Sequence, residues 1–197
     1  MINILSHIVE FRNGESGLHV LHIQTITEML LRQLVQKENN RYALSKEQIR
    51  MITTASALHD IGKISIPDEI LNKPGRLTAE EFAVIKGHSM AGANMLSELP
   101  LDQKEEPLVK TAYEICRWHH ERYDGADTGW MKRGRNPVSA QVVALADVYD
   151  ALTSERCYKD AYSHEKAIEM ILAGQCGAFN PLMLECLLDI SSSLKKT

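Results

Sequence analysis

Four cysteines are all the chain has in 197 residues, and Cys116, Cys157, Cys176 and Cys186 never fall into a Cys-x-x-Cys spacing. That scatter argues against a secreted disulfide framework and leaves reduced thiols, used as small buried hydrophobes. Basic residues are in no excess: 22 Lys and Arg stand against 26 Asp and Glu, for a formal net charge of -4 and a pI near 6.1. A general nucleic-acid duplex surface needs the opposite balance, so small-molecule chemistry is favoured. No apolar run approaches the roughly 20 residues of a membrane span, and no signal peptide is evident. A cytoplasmic protein without membrane insertion is expected. No strand candidate of any length and no internal repeat occur. With 44% hydrophobic residues, the chain reads as one all-α helical bundle domain over residues 1–197.

Residues 2–36 carry apolar side chains at helical spacing, Ile4, Ile8 and Phe11 first, then Val20, Ile23, Met29, Leu30 and Leu34, with Asn13-Gly14 as a break between them. Ser45 with Gln48, and Thr78 with Glu81, have the spacing of capping boxes and predict helix starts. The second box opens a helix over about 79–97, and Pro67 and Lys73-Pro74-Gly75 bracket a short turn of helix at 68–72. Further helices are predicted over about 105–121, 138–154 and 163–173, and Asn180-Pro181 starts the last.

Chemistry concentrates at His59-Asp60-Ile61-Gly62-Lys63. Imidazole and carboxylate are usual donors for zinc, manganese and non-haem iron, and a neighbouring ammonium suits an anionic substrate. A His-Asp pair at a helix end is also an ordinary capping arrangement. His59 falls near the extension of the buried Ile49, Ile52 and Ala55 stripe, where a second polar group, Asp60, is costly to bury unless a positive charge accompanies it. Glu15 and His19 share a helix side at i, i+4, which fits one ion or a surface pair, and His22 is open between substrate contact and packing. Gly92, one turn after His88, admits a close neighbour. His119 and His120 are adjacent and point about 100° apart on a helix, which suits a helix end better than a helix interior. Asp147 interrupts the most apolar segment of the chain, whereas Asp150 faces water or caps. The basic residues Lys132, Arg133 and Arg135 either attract a phosphate ester or form a solvated loop.

Taken together, His59-Asp60-Ile61-Gly62-Lys63, Ile66-Pro67-Asp68-Glu69-Ile70-Leu71, Lys73-Pro74-Gly75, Lys86-x-His88-x-x-x-Gly92, His119-His120-Glu121-Arg122-x-Asp124-Gly125 and Asp147-Val148-Tyr149-Asp150-Ala151-Leu152-Thr153-Ser154 resemble the HD-GYP subgroup of the HD phosphohydrolases. The resemblance runs over nearly the whole chain. It implies an all-helical domain holding two or three divalent ions, iron or manganese, and acting on cyclic di-GMP. By the same resemblance the metal ligands are Glu15, His19, His59, Asp60, His88, His119, His120 and Asp147. Lys63 and Asp60 take catalytic roles, and Lys63, Arg156 and Lys159 contact the substrate phosphates.

The sequence departs from the subgroup in one loop. In place of Gly-Tyr-Pro it reads Gly125-Ala126-Asp127-Thr128-Gly129-Trp130-Met131, where Trp130 either stacks on a base or packs. The implied reaction is attack on phosphorus by a hydroxide that the cations make available near neutral pH, in line with the leaving ribose oxygen, giving linear pGpG and, after a second cut, GMP. Two alternatives stand beside it: an HD phosphohydrolase for another nucleotide or a hybrid cyclic dinucleotide, and a non-catalytic cyclic-dinucleotide receptor. The resemblance also implies an upstream receiver or sensor domain in a longer protein, and it is compatible with a homodimer.

Overall fold

The computed structural model describes residues 2–12, 18–38, 42–126, 135–155 and 160–195. Within them the chain is helical, without a strand: α1 (Ile2–Arg12), α2 (Leu18–Leu34), α3 (Lys46–Ser56), a 3-10 turn (Ile61–Ser65), α4 (Asp68–Leu71), α5 (Ala79–Lys86), α6 (His88–Ser97), α7 (Leu101–Lys104), α8 (Pro107–Trp118), α9 (Val138–Thr153), α10 (His164–Leu172) and α11 (Pro181–Leu194). The all-α expectation holds. Both capping boxes form in full, with Ser45 and Thr78 each accepting from the N3 backbone and each N3 side chain reaching back. Asn180 caps α11, with Pro181 in its first turn.

The helix expected over about 79–97 is divided in two, whereas the one expected over about 105–121 is a single helix, Pro107–Trp118. Gly87 donates its N–H to Val84 O at 3.0 Å, a tightened turn that ends α5 and lets α6 begin at His88. Pro107 opens α8 at its first position, because a proline inside a continuous helix would lack its N–H and clash with the preceding turn.

The core is built on α2 and α9. Leu30, Leu31 and Leu34 of α2 meet Ile52 and Ala55 of α3, Val142, Leu145 and Ala146 of α9, and Met183 and Leu187 of α11, all of them buried. α9 is apolar nearly all round, as befits a helix covered on several sides by α2, α8 and α10. Each fully buried Leu or Ile contributes about 1.5–3 kcal/mol, so these helices form the rigid frame on which the polar residues sit.

α1 departs from this pattern. Its helical spacing is as predicted, but Ile4, Ile8 and Phe11 face outward, Phe11 being 86% exposed, while Ser6, Val9 and Glu10 are buried. The helix is held by a polar latch at its end. Arg12 donates to Lys63 O at 3.1 Å, Ile64 O at 2.7 Å and Ile66 O at 2.6 Å, and pairs with Asp68 at 2.9 Å. One guanidinium thus satisfies several carbonyls of the turn that carries Lys63.

Candidate metal centre

α3 ends at Ser56, and the chain leaves it through successive i to i+3 bonds, from Leu58 to Ala55, His59 to Ser56, Ile61 to Leu58 and Lys63 to Asp60. This tight path places His59 and Asp60 on consecutive residues at the buried end of α3. The 3-10 turn then presses on α6. A Cβ on Gly62 would fall 1.9 Å from His88 O and 2.5 Å from Gly92 N, and one on Gly92 would meet Gly62 N at 3.2 Å and Cys116 Sγ at 3.3 Å. The two glycines therefore set the distance between Asp60 and His88. His119 caps the C-terminus of α8, with His120 following, so the adjacent pair does sit at a helix end.

Asp60 is where the pieces meet. Its Oδ1 lies 3.0 Å from His88 Nε2 and 3.8 Å from His119 Nε2, and its Oδ2 lies 3.3 Å from His59 Nε2 and 2.7 Å from Lys63 Nζ. Two sets of donors share this carboxylate: Asp60, His88, His119 and His120, and separately His19, His59 and Asp60. His19 Nε2 is in turn 4.0 Å from Asp147 Oδ1 and 3.8 Å from Glu10 Oε1.

The tautomers follow from the other ring nitrogens. Nδ1–H of His59 is donated to Ser56 O at 2.9 Å, that of His88 to Ile85 O at 2.6 Å, and that of His119 to Ile115 O at 2.9 Å. His19 Nδ1–H points to Asp150 Oδ2 at 2.6 Å. A carbonyl can only accept, so Nδ1 keeps its proton, and in the neutral ring Nε2 is left with a lone pair facing the centre. There the lone pairs confront one another: His88 Nε2 is 3.4 Å from His119 Nε2 and 3.2 Å from His120 Nε2, and buried His59 Nε2 faces the Asp60 carboxylate at 3.3 Å. Neutral imidazoles repel in that arrangement unless a proton or a cation lies between them. Converging Nε2 atoms, each fixed by a bond from Nδ1, are what a divalent-cation site requires, and the residues present fit one.

Electrostatics without an ion show the same strain. Burial disfavours charge on His59, but the Asp60 carboxylate beside it outweighs burial and raises its pKa from 6.5 to about 9. Burial alone would raise Asp60; Lys63 and His59 instead hold it well below the usual carboxylate range. Burial, then repulsion from His120 and His59, pushes His119 well below its ordinary value. A cavity of about 150 Å³ opens beside His119, His120 and Asp147, with Arg122 on its wall.

Of the residues expected to act at the site, His19, His59, Asp60, His88, His119, His120, Asp147 and Lys63 gather here. Glu15, Arg156 and Lys159 lie outside the described residues, as do Trp130, Lys132 and Arg133. One expectation is reversed. The Asp150 side chain is 3% exposed and neither faces water nor caps, whereas Asp147, expected to be the buried carboxylate of α9, is 18% exposed. The two differ by about 60° around the helix, and both reach His19 of α2, Asp150 at Nδ1 and Asp147 on the Nε2 side. His22 is explained by the same carboxylate, its Nδ1 lying 2.9 Å from Asp150 Oδ1. Sequence reasoning missed Glu10 and the role of Asp150; the only sign of Glu10 was its i, i+4 spacing from Ser6, on the side of α1 opposite the apolar stripe.

A profile of the HD domain family matches residues 1–179. Among curated proteins, the chain is 38% identical over 191 residues to a probable cyclic di-GMP phosphodiesterase of Vibrio cholerae serotype O1, covering 93% of this chain and 42% of that protein. It is 35% identical to the cyclic di-GMP phosphodiesterase response regulator RpfG of Xanthomonas campestris pv. campestris, covering 98% and 48%. It is 36% identical to the 3'3'-cGAMP-specific phosphodiesterase 2 of Vibrio cholerae, covering 94% and 33%. The chain thus spans about half or less of the length of these relatives. No described helix is long and apolar enough to cross a membrane.

Proposed function

Since the chain belongs to the HD domain family, we propose that it is a metal-dependent phosphodiesterase that opens cyclic di-GMP to linear pGpG and cuts again to GMP. The observation that carries this reading is the inward convergence of imidazole Nε2 atoms on the Asp60 carboxylate. Relatives named for cyclic di-GMP hydrolysis, matched over nearly all of this chain, give the substrate class.

In this reading His19, His59, Asp60, His88, His119, His120 and Asp147 hold two ions, and Glu15 adds a donor for a third. Iron or manganese suits a mixed imidazole and carboxylate set. Such ions, when bound, supply Lewis acidity, lowering the pKa of water and neutralising charge on the phosphoryl oxygens.

The protein's own groups do the rest. Asp60, ionised because Lys63 and His59 hold its pKa down, serves both donor sets at once. Lys63 Nζ stands 2.7 Å from Asp60, close enough to the donors for its N–H groups to offset negative charge on the leaving ribose oxygen. Arg156 and Lys159 are assigned to the phosphates. The Arg12 latch keeps the carbonyls of the Lys63 turn in place and so fixes where that ammonium points.

Relatives longer than this chain, one of them a response regulator by name, support a receiver or sensor domain as partner. A hybrid dinucleotide is the second reading, favoured by the 3'3'-cGAMP-specific relatives. Protein loaded anaerobically with Fe(II) or Mn(II) and offered both cyclic dinucleotides tests the pair. Linear pGpG from cyclic di-GMP is expected; hydrolysis of 3'3'-cGAMP alone moves the substrate, and turnover of neither overturns the enzymatic reading.

A further inference from the structure

The buried carboxylate on α9 has no place in the ligand set. Asp150 is nonetheless engaged on both oxygens, with His19 Nδ1 at 2.6 Å on Oδ2, and His22 Nδ1 at 2.9 Å and Ser154 Oγ at 3.0 Å on Oδ1. All of these partners act as donors. With two imidazole nitrogens and a hydroxyl directed at its two oxygens, the carboxylate acts as an acceptor only. An ionised carboxylate beside Nδ1 forces the proton of His19 onto that nitrogen and leaves Nε2 bare.

We infer that Asp150 is the positioning residue for His19: it commits the Nε2 lone pair of that histidine to the His19–His59–Asp60 donor set, with His22 and Ser154 clamping the carboxylate from the other side. The inference rests on the metal-centre reading above. It concerns one donor set and not the other, since His88 and His119 are oriented by backbone carbonyls that Asp150 does not touch. His22 belongs to the clamp and not to the centre. Its ring lines a separate cavity of about 300 Å³, with Tyr149, Asp150, Ser154 and His164.

The test is to titrate metal-free wild type, Asp150→Asn and Ser154→Ala with Mn2+ and resolve the affinity of each ion. Asp150→Asn is expected to weaken the ion at the His19 set by about 10–100-fold, the usual effect of losing such an outer partner, and to leave the ion at the His88–His119–His120 set unchanged. Ser154→Ala should weaken the same ion less. In parallel, two-bond 1H–15N spectra of the metal-free protein, taken above the titration of the rings, should show His19 as the Nδ1–H tautomer in wild type. Asp150→Asn should shift it toward Nε2–H, because a carboxamide can turn an N–H toward Nδ1. Unchanged binding in Asp150→Asn, or equal loss at both sets, overturns the inference, as does an Nε2–H His19 in wild type, an outcome that needs no variant to fold. Wild type that takes up no Mn2+ overturns the metal-centre reading itself, and is told apart because no substitution is involved.

Discussion

The two donor sets that meet at Asp60 are assembled by different means. His88 and His119 sit at helix ends, and their Nδ1 atoms bond carbonyls of their own local turns. Once α5 and α8 fold, these imidazoles have one orientation. His19 lies at the start of α2, and what fixes it is Asp150, 131 residues away on α9. The first arrangement is a property of local backbone, whereas the second exists only when α2 and α9 are packed. A single substitution can break the second while leaving the first intact.

Asp60→Asn should have the largest effect, because it abolishes the difference between the sets by removing the donor they share. Loss of both ions and a fall in phosphodiesterase activity on the order of 10³-fold or more are expected, from several kcal/mol of lost transition-state stabilisation; elemental analysis and an initial-rate assay check it. Gly62→Ala attacks the spacing between the sets instead. Its Cβ would fall 1.9 Å from His88 O, a backbone clash that side-chain rotation cannot relieve. A cost of about 3 kcal/mol and a Tm lower by on the order of 10 °C should appear in a thermal melt.

pH sharpens the contrast. In the metal-free protein His59 is raised from 6.5 to about 9, so the folded state holds a proton that the unfolded chain releases earlier. Its contribution to stability is full below pH 6.5 and is lost as pH rises through about 9. Metal affinity runs the other way, because that proton must leave Nε2 before a cation can bind. Denaturant melts of the metal-free protein should therefore weaken from pH 6.5 to 9, while Mn2+ binding at the His59 set strengthens over the same interval. His119 is buried with its pKa pushed down, so its set has less proton to displace and a shallower dependence. The smallest effect is expected for Ser45→Ala, which removes the cap of α3 far from both sets. It should cost about 1 kcal/mol and leave metal content unchanged.

Helix starts were legible because their chemistry is local: Ser45 with Gln48, Thr78 with Glu81, and Asn180 with Pro181 each act within one turn. The donors at His59, Asp60, His88, His119 and His120 were legible through the motifs that contain them. What could not be read was direction. On α9, apolar on nearly every side, nothing in the spacing says which of Asp147 and Asp150 is the more deeply buried. On α1 the helical spacing of Ile4, Ile8 and Phe11 did not say which face is buried: the helix is anchored by Arg12, exposes that stripe and buries Ser6 and Glu10. In both places the answer belongs to tertiary packing, which overrides local pattern.

The central claim is that inward-facing Nε2 atoms form two cation sites joined at Asp60. Counting iron and manganese per chain in anaerobically purified protein tests it most directly. At least two ions per chain are predicted, one for each donor set, and a well-folded protein that neither retains nor takes up a divalent ion would contradict it.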